Sequence, residues 1–188
     1  MRVCAVHKNQ IGRLIGAVFG LVFVLANAGA FPTAVAVPLR VLAILVFLKL
    51  FTGMRRKGAA PTEPDGTSDQ TFGRGYRLAV AAEVLVGAGG LFVLARVLHV
   101  PEAAVGWIAL VVGLHFFGLA VAWRMPAVHV LAAALTVCGA AGLALAGADA
   151  PHAAVAAVSG IAPGVLLLSA VAWTVRSQER PVTAAGPS

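Results

Sequence analysis

Residues 104–123 read AVGWIALVVGLHFFGLAVAW, a run of twenty residues that contains no Asp, Glu, Lys or Arg. A transmembrane helix needs about 20 apolar residues to cross the hydrocarbon core of a bilayer. An open sheet edge cannot face lipid, so a helix is the expected form for such a run. The stretch therefore predicts a membrane-spanning helix that carries one ionisable side chain, His115, near its middle.

Five other apolar stretches of similar length occupy most of the remaining chain. Together with the first, they predict transmembrane helices at residues 14–30, 34–53, 78–98, 104–123, 127–148 and 153–175. Hydrophobic residues make up 60% of the 188 residues and charged residues only 11%, against roughly 25% charged residues in a soluble domain. We therefore expect one all-α membrane domain over residues 1–188, with the lipid bilayer as its solvent.

Short and long connections alternate along the chain. The short turns contain Pro32, Pro101 and Pro151 and carry no Lys or Arg, which predicts three helical hairpins. Residues 58–73 are rich in Gly, Pro, Thr and acidic residues and have no apolar periodicity, so they predict a flexible cytoplasmic linker. That linker is either a solvated spacer or a regulatory docking loop.

Basic residues concentrate on one predicted side of the membrane, where 11 of the 14 Lys and Arg residues fall. They are Arg2, Lys8, Arg13, Arg55, Arg56, Lys57, Arg74, Arg77, Arg124, Arg176 and Arg180. Basic loops are retained in the cytoplasm, so both termini are expected to face the cytoplasm of a bacterial inner membrane. The same asymmetry accounts for the net charge of +7, and a nucleic-acid partner is not expected.

The N-terminal segment also has features of a signal peptide, which begins with basic residues and ends at a site of small residues. Ala26-Asn27-Ala28 resembles such a cleavage site. The apolar segment is long and a second span follows it directly, which favours a retained first helix over a cleaved one.

Glu83 and Lys49 are ionisable residues inside predicted spans, where a charge near the helix centre costs roughly 2.5–3.5 kcal/mol on insertion scales. Counted at ~1.5 Å per residue, the two residues lie at a similar depth in the third and second helices. One interpretation is a structural ion pair that neutralises both. The alternative is that Lys49 extends alone to the interface and that Glu83 accepts a proton or a cation.

His115 lies too far from either interface to extend out of the membrane, so its imidazole needs a partner inside the bundle. Thr136 and Ser159 lie at a similar predicted depth on the fifth and sixth helices, and Pro163 is expected to kink the sixth helix near Ser159. His115 is either a packed structural residue or part of a midplane polar site for a small molecule or a proton relay. The candidate site comprises His115, Glu83, Thr136 and Ser159.

Arg40 enters the outer half of the second helix, where it either extends outward to the membrane surface or forms an anion site. Cys4 and Cys138 lie at different predicted depths, so no disulfide is expected, and two cysteines are too few for a metal site. The chain has no Walker-type phosphate loop and no HExxH, CxxC, GxSxG or CxxCH motif. We therefore expect neither a metal nor a cofactor.

The sequence Gly113-Leu114-His115-Phe116, set in a short six-helix chain, is similar to small uncharacterised integral membrane proteins of bacteria, of the actinobacterial type. The resemblance covers the hairpin plan and this one motif, and it implies no activity.

Three functions are compatible with these residues. The first is a small transporter or channel-like protein with a polar midplane site around His115, with Glu83 as a coupling residue. The second is a noncatalytic scaffold, homo-oligomer or subunit with a membrane partner protein, in which polar residues only hold helices together. The third is a membrane enzyme acting on a lipid or isoprenoid, with His115 or Glu83 as its acid or base.

Overall fold

A computed structural model of the chain describes residues 3–57, 74–123 and 126–177, and these residues are helical with no strand among them. The helices are α1 (Val3–Asn27), α2 (Thr33–Lys57), α3 (Arg74–Phe92), α4 (Ala103–Trp123), α5 (Pro126–Gly147), α6 (His152–Ala156) and α7 (Ala162–Ser177). The predicted all-α helix bundle is confirmed. The predicted linker, residues 58–73, lies outside the described residues.

Five helical stretches in the described part of the chain are long and apolar enough to cross a membrane. They are Gly12–Ala30, Thr33–Arg55, Ala103–Val121, Pro126–Gly147 and His152–Ser177. The chain is thus a multi-pass helical membrane protein. The predicted span that corresponds to α3 is not among these five stretches. The 19 residues of α3 include Arg74, Arg77 and Glu83. The side of the membrane on which the termini lie stays a prediction.

The last span is a single helix interrupted by one π-helical segment, Ala157–Ile161, between α6 and α7. Proline has no N–H to donate, so Pro163 leaves the carbonyl of Ser159, one turn earlier, without its usual intrahelical donor. The π-helical segment widens the helix locally beside Ser159. The kink expected at Pro163 stays a prediction.

The hairpin turns that contain Pro101 and Pro151 each have a left-handed residue two positions before the proline. His99 and Asp149 both have left-handed backbone conformations, with φ of 54° and 52°. After Asp149, the N–H of Ala150 donates to the carbonyl of Leu145 over 3.0 Å, which closes the end of α5 in the manner of a Schellman cap. Each turn then enters the next helix through its proline.

The α6–α7 helix occupies the centre of the bundle and packs on α1, α2 and α5. One place of close backbone approach is at Gly20 and Gly164, where a Cβ atom on Gly20 would lie 2.9 Å from the carbonyl oxygen of Gly164. Lipid provides no hydrophobic drive for helix association, so close backbone contact and dispersion must hold these helices together. A central cluster of Phe23, Ala109, Leu135 and Leu167 joins α1 and α7 to the α4–α5 pair.

Helices α4 and α5 form the most extensive contact in the described bundle. Small buried residues recur every seven positions on both helices: Gly106, Gly113 and Ala120 on α4, and Ala132, Gly139 and Ala146 on α5. A seven-residue repeat produces a left-handed coiled pair, and small side chains let its backbones approach closely. A Cβ on Gly106 would lie 2.8 Å from the backbone nitrogen of Leu143. We call this contact the α4–α5 seam.

Helix α3 packs on α4 at the edge of the bundle. None of its side chains described from Ala81 to Val97 is buried. The helix changes to a π-helical turn at Val93–Val97 before the chain enters α4. Helix α3 is therefore the most peripheral of the described helices.

Candidate functional site

The candidate site is a side-chain pair between α3 and α4, in which the Glu83 carboxylate contacts Nδ1 of the His115 imidazole directly. Glu83 is the tenth of the 19 residues of α3, and His115 is the thirteenth of the 21 residues of α4. Both are therefore far from the helix ends. The side chain of Glu83 is 27% exposed and that of His115 is 29% exposed, so the pair is sheltered without being enclosed.

The antiparallel register of α3 and α4 brings the two residues together. Eight residues before His115, the indole N–H of Trp107 donates to the carbonyl of Gly87 over 3.1 Å. The ring of Trp107 lies against Gly90, where an added Cβ would overlap it. These contacts place the middle of α3 beside the middle of α4, and Glu83 then meets His115.

His115 faces α3 because the opposite side of α4 is occupied by the seam. Gly113 touches the backbone of Thr136 on α5 so closely that a Cβ there would lie 2.5 Å from the Thr136 nitrogen. Two residues correspond to about 200° around an α-helix. A side chain at position 115 therefore points away from α5, whatever polar groups α5 offers.

The pair lines an open groove of about 280 Å³ between α3 and α4. Its other walls are the apolar side chains of Ala82, Val86, Val111 and Leu114. Val86 and Leu114 are each 56% exposed, so the groove opens on the outer surface of the bundle. The groove is therefore open to the surroundings of the bundle and is not enclosed within it.

The structure does not pair Lys49 with Glu83, which corrects one of the two interpretations of these residues. Lys49 is exposed on α2, and that helix packs on α1 and α7. Glu83 lies on α3, which packs on α4, and its carboxylate contacts His115 instead. Similar depth was therefore not enough for an ion pair, because the two helices are not neighbours.

Thr136 and Ser159 lie close to the seam and not in the groove. The Thr136 hydroxyl donates to the carbonyl of Ala132 over 2.8 Å, and the Ser159 hydroxyl donates to the carbonyl of Val155 over 2.6 Å. Each thus bonds within its own helix, one turn back. Ser159 is fully buried, and a Cβ added to Gly142 would overlap it. Thr136 and Ser159 were expected to offer a hydrogen-bond partner to His115, but the partner of His115 is Glu83.

Arg40 lies away from this site. It is exposed on α2, and its guanidinium approaches the short 3₁₀ turn Ala28–Ala30 between α1 and α2, 3.3 Å from the position that a Cβ on Gly29 would take. Its side chain thus extends towards the turn that begins its own hairpin.

The sequence contains a signal for the Glu83–His115 contact that position within single helices does not reveal. Glu83 lies 16 positions before His99 and His115 lies 16 positions after it. His99 is the left-handed residue of the connecting turn. In a tight antiparallel hairpin, residues equally distant from the turn lie side by side. Trp107, 8 positions after His99, likewise reaches Gly90, which is 9 positions before it.

The chemical capacity of the pair is proton exchange and cation binding. A carboxylate and an imidazole in contact can hold one proton between them, and the carboxylate can bind a cation when that proton leaves. In the part of the chain that the structure describes, no three His, Cys, Asp or Glu side chains are grouped closely enough to hold a metal ion. The chain matches no protein-family model, and no curated protein and no solved structure is significantly similar to it.

Proposed function

We propose that this chain is a small membrane transporter in which the Glu83–His115 pair binds and releases a proton. The observation that supports the proposal is the direct contact of a carboxylate and an imidazole at the middle of α3 and α4, beside an open groove. Ionisable groups inside a membrane are costly, and they are concentrated at ion and substrate pathways. Mutual contact lowers this cost and leaves both groups able to exchange a proton.

The attachment of α3 supports a coupling role for the pair. Besides the pair, the indole N–H of Trp107 donates to the carbonyl of Gly87, which adds a second polar contact between α3 and α4. The described side chains of α3 are at least partly exposed, so little apolar burial opposes its movement. Adding or removing a proton changes the attraction between Glu83 and His115, and it therefore changes how firmly α3 is held. This change in attraction links proton binding to access to the groove.

A noncatalytic partner role is the second candidate, and the outward position of the pair favours it. A helix from another copy of this chain, or from a different membrane protein, would reach Glu83 and His115 from the lipid side without disturbing the seam. Polar side chains do contribute to helix association in membranes, at roughly 0.6 kcal/mol per interaction on average. In that role the pair would serve assembly alone.

We further propose that the protein resides in a bacterial inner membrane with both termini in the cytoplasm. The support is the concentration of Lys and Arg in alternate connections.

The test is proton and cation flux in proteoliposomes, measured across a series of pH gradients and cations. We expect flux in the native protein that falls to the level of protein-free liposomes in Glu83→Gln and in His115→Ala. Glu102→Gln and His152→Gln are matched controls, because both residues are exposed at hairpin turns, and they should retain the native flux. If the native protein is silent while it remains folded and correctly inserted, transport is wrong and the partner role takes its place.

A further inference from the structure

We propose that the α3–α4 groove binds a compact lipophilic cation, such as an amine with a small apolar body, which Glu83 takes up in exchange for the proton of the Glu83–His115 pair. The inference rests on the transport function proposed above, because it names the class of molecule that is exchanged for the proton.

The walls of the groove define the chemistry of the ligand. Four of the six lining side chains are aliphatic, and the two polar ones are Glu83 and His115. With a neutral imidazole and an ionised carboxylate, the pair carries one negative charge. A cation with an apolar body complements both features, since its charge meets Glu83 and its body covers the aliphatic walls. An anion would meet the carboxylate and be repelled.

The size and opening of the groove limit the ligand further. Its volume of about 280 Å³ is slightly below the roughly 300–1,000 Å³ of ordinary small-molecule pockets. At ~30 Å³ per water-sized group, it accommodates on the order of ten non-hydrogen atoms. Because Val86 and Leu114 border the opening and are exposed, the route into the groove is apolar. A small molecule that partitions into lipid is therefore favoured over a hydrated inorganic ion.

Proton exchange keeps the membrane-embedded site neutral in both states. Without ligand, one proton shared by Glu83 and His115 makes the pair neutral overall. With the ligand bound, the positive charge of the ligand replaces that proton and the sum is again zero. The cost of an uncompensated charge in lipid is thus avoided at each step.

Several other ionisable groups lie on the elements that pack against the pair. They are Arg74, Tyr76, Arg77 and Arg96 on α3 and the π turn that follows it, His99 and Glu102 between that turn and α4, and His129 and Cys138 on α5. The ring of His129 lies against Phe117, and Glu102 is exposed at the hairpin turn. The Glu102→Gln variant therefore reports how far a carboxylate outside the groove affects cation binding.

Equilibrium binding of radiolabelled benzyltrimethylammonium to the full chain in lipid nanodiscs tests the inference. This cation is quaternary and has no proton of its own, so any pH dependence belongs to the protein. Its affinity should rise by up to about tenfold for each pH unit over the range in which the pair loses its proton, since one proton leaves per cation bound. Neopentylbenzene, the uncharged molecule of the same shape, should not compete at the same concentration.

Two variants test the position of the site. Glu83→Gln should weaken binding by about tenfold or more and abolish its pH dependence, because the Coulombic attraction between the carboxylate and the cation is lost. Val86→Trp keeps the pair and fills the groove, so it should also abolish binding. Glu102→Gln should bind as the native protein does. Retained binding in both Glu83→Gln and Val86→Trp would overturn the inference, as would a native protein that binds no cation.

The outcomes for the inference and for transport are separable. Saturable binding that requires Glu83, without flux in proteoliposomes, supports the cation site and overturns transport. Proton flux that requires Glu83, without binding of the cation, supports transport and overturns the cation site. If neopentylbenzene competes for the groove as strongly as the unlabelled cation does, the groove does not recognise charge and the inference is overturned.

Discussion

The two faces of α4 are held to their neighbours by different physical means. On one face, the α4–α5 seam brings backbone against backbone, with Gly or Ala at every seventh position. On the other face, α3 is held by the Glu83–His115 contact and by the bond from Trp107 to Gly87. Backbone contacts cannot change without separating the helices. Side-chain contacts that depend on a proton can change in place, so the α3 face is the one suited to function.

Breaking the seam should give the largest loss of stability. In Gly113→Ala, the added Cβ would lie 2.5 Å from the nitrogen and 2.9 Å from the Cα of Thr136, and both atoms belong to the backbone. Overpacking typically costs about 1–3 kcal/mol, which exceeds the gain of up to about 1 kcal/mol from replacing a helical glycine. We expect a net decrease in the free energy of unfolding, measured by SDS titration in mixed micelles.

Gly118→Ala is the matched control on the same helix, because nothing lies within 4 Å of its added Cβ. It should leave stability unchanged or raise it slightly. Equal losses in Gly113→Ala and Gly118→Ala would mean that glycine at either position matters for a reason other than close packing, and the contrast between the two faces of α4 would fail.

Displacing Trp107 should have a smaller effect. A Cβ in Gly90→Ala would overlap the indole ring, which can rotate away because it is a side chain and not backbone. The expected cost is about 1 kcal/mol, chiefly the lost bond to the Gly87 carbonyl. In a background with Trp123→Phe and Trp173→Phe, Trp107 fluorescence should become more accessible to a lipid-phase quencher.

Gly89→Ala serves as the control for this change, since its added Cβ meets nothing within 4 Å. Its fluorescence should match that of the parent. Unchanged quenching in Gly90→Ala would show that Trp107 does not fix the register of α3 on α4.

Removing the charge of Glu83 should loosen α3 while the seam stays intact. In Glu83→Gln, spin labels at the exposed positions Val84 on α3 and Val121 on α4 should give a broader distance distribution than in the parent. Lys49→Gln should leave the distribution unchanged, because Lys49 does not contact Glu83. If the distance distribution broadened in Lys49→Gln and not in Glu83→Gln, the result would support the interpretation of Lys49 and Glu83 as an ion pair.

The fold was predictable from the sequence because its determinants are local. Apolar runs of about 20 residues report a helical membrane protein without knowledge of any neighbour. The predicted run at α3 is the one that is not among the five stretches of the described chain that are long and apolar enough to cross a membrane.

The pairing at the site was harder to predict, because it depends on which helices are neighbours. Glu83 and His115 were each identifiable as ionisable residues in apolar sequence. Depth alone matched Glu83 with Lys49 and matched His115 with Thr136. Contact required the register set by Trp107 and Gly90, and it required His115 to face away from the seam. The short connection at His99 makes α3 and α4 neighbours, and this is the information that depth in the membrane lacks.

The smallest expected effect is that of a substitution at Thr136 on α5, and this substitution tests the difference between the two faces of α4 most directly. Its hydroxyl donates within its own helix to Ala132, so Thr136→Val should alter stability by no more than about 0.6 kcal/mol, the average for polar contacts in membrane helices. The ring ¹⁵N signals of His115 should not move, whereas in Glu83→Gln they should. If those signals shifted as much in Thr136→Val as in Glu83→Gln, the polar partner of His115 would lie in the seam. The division of α4 into one rigid face and one responsive face would then no longer hold.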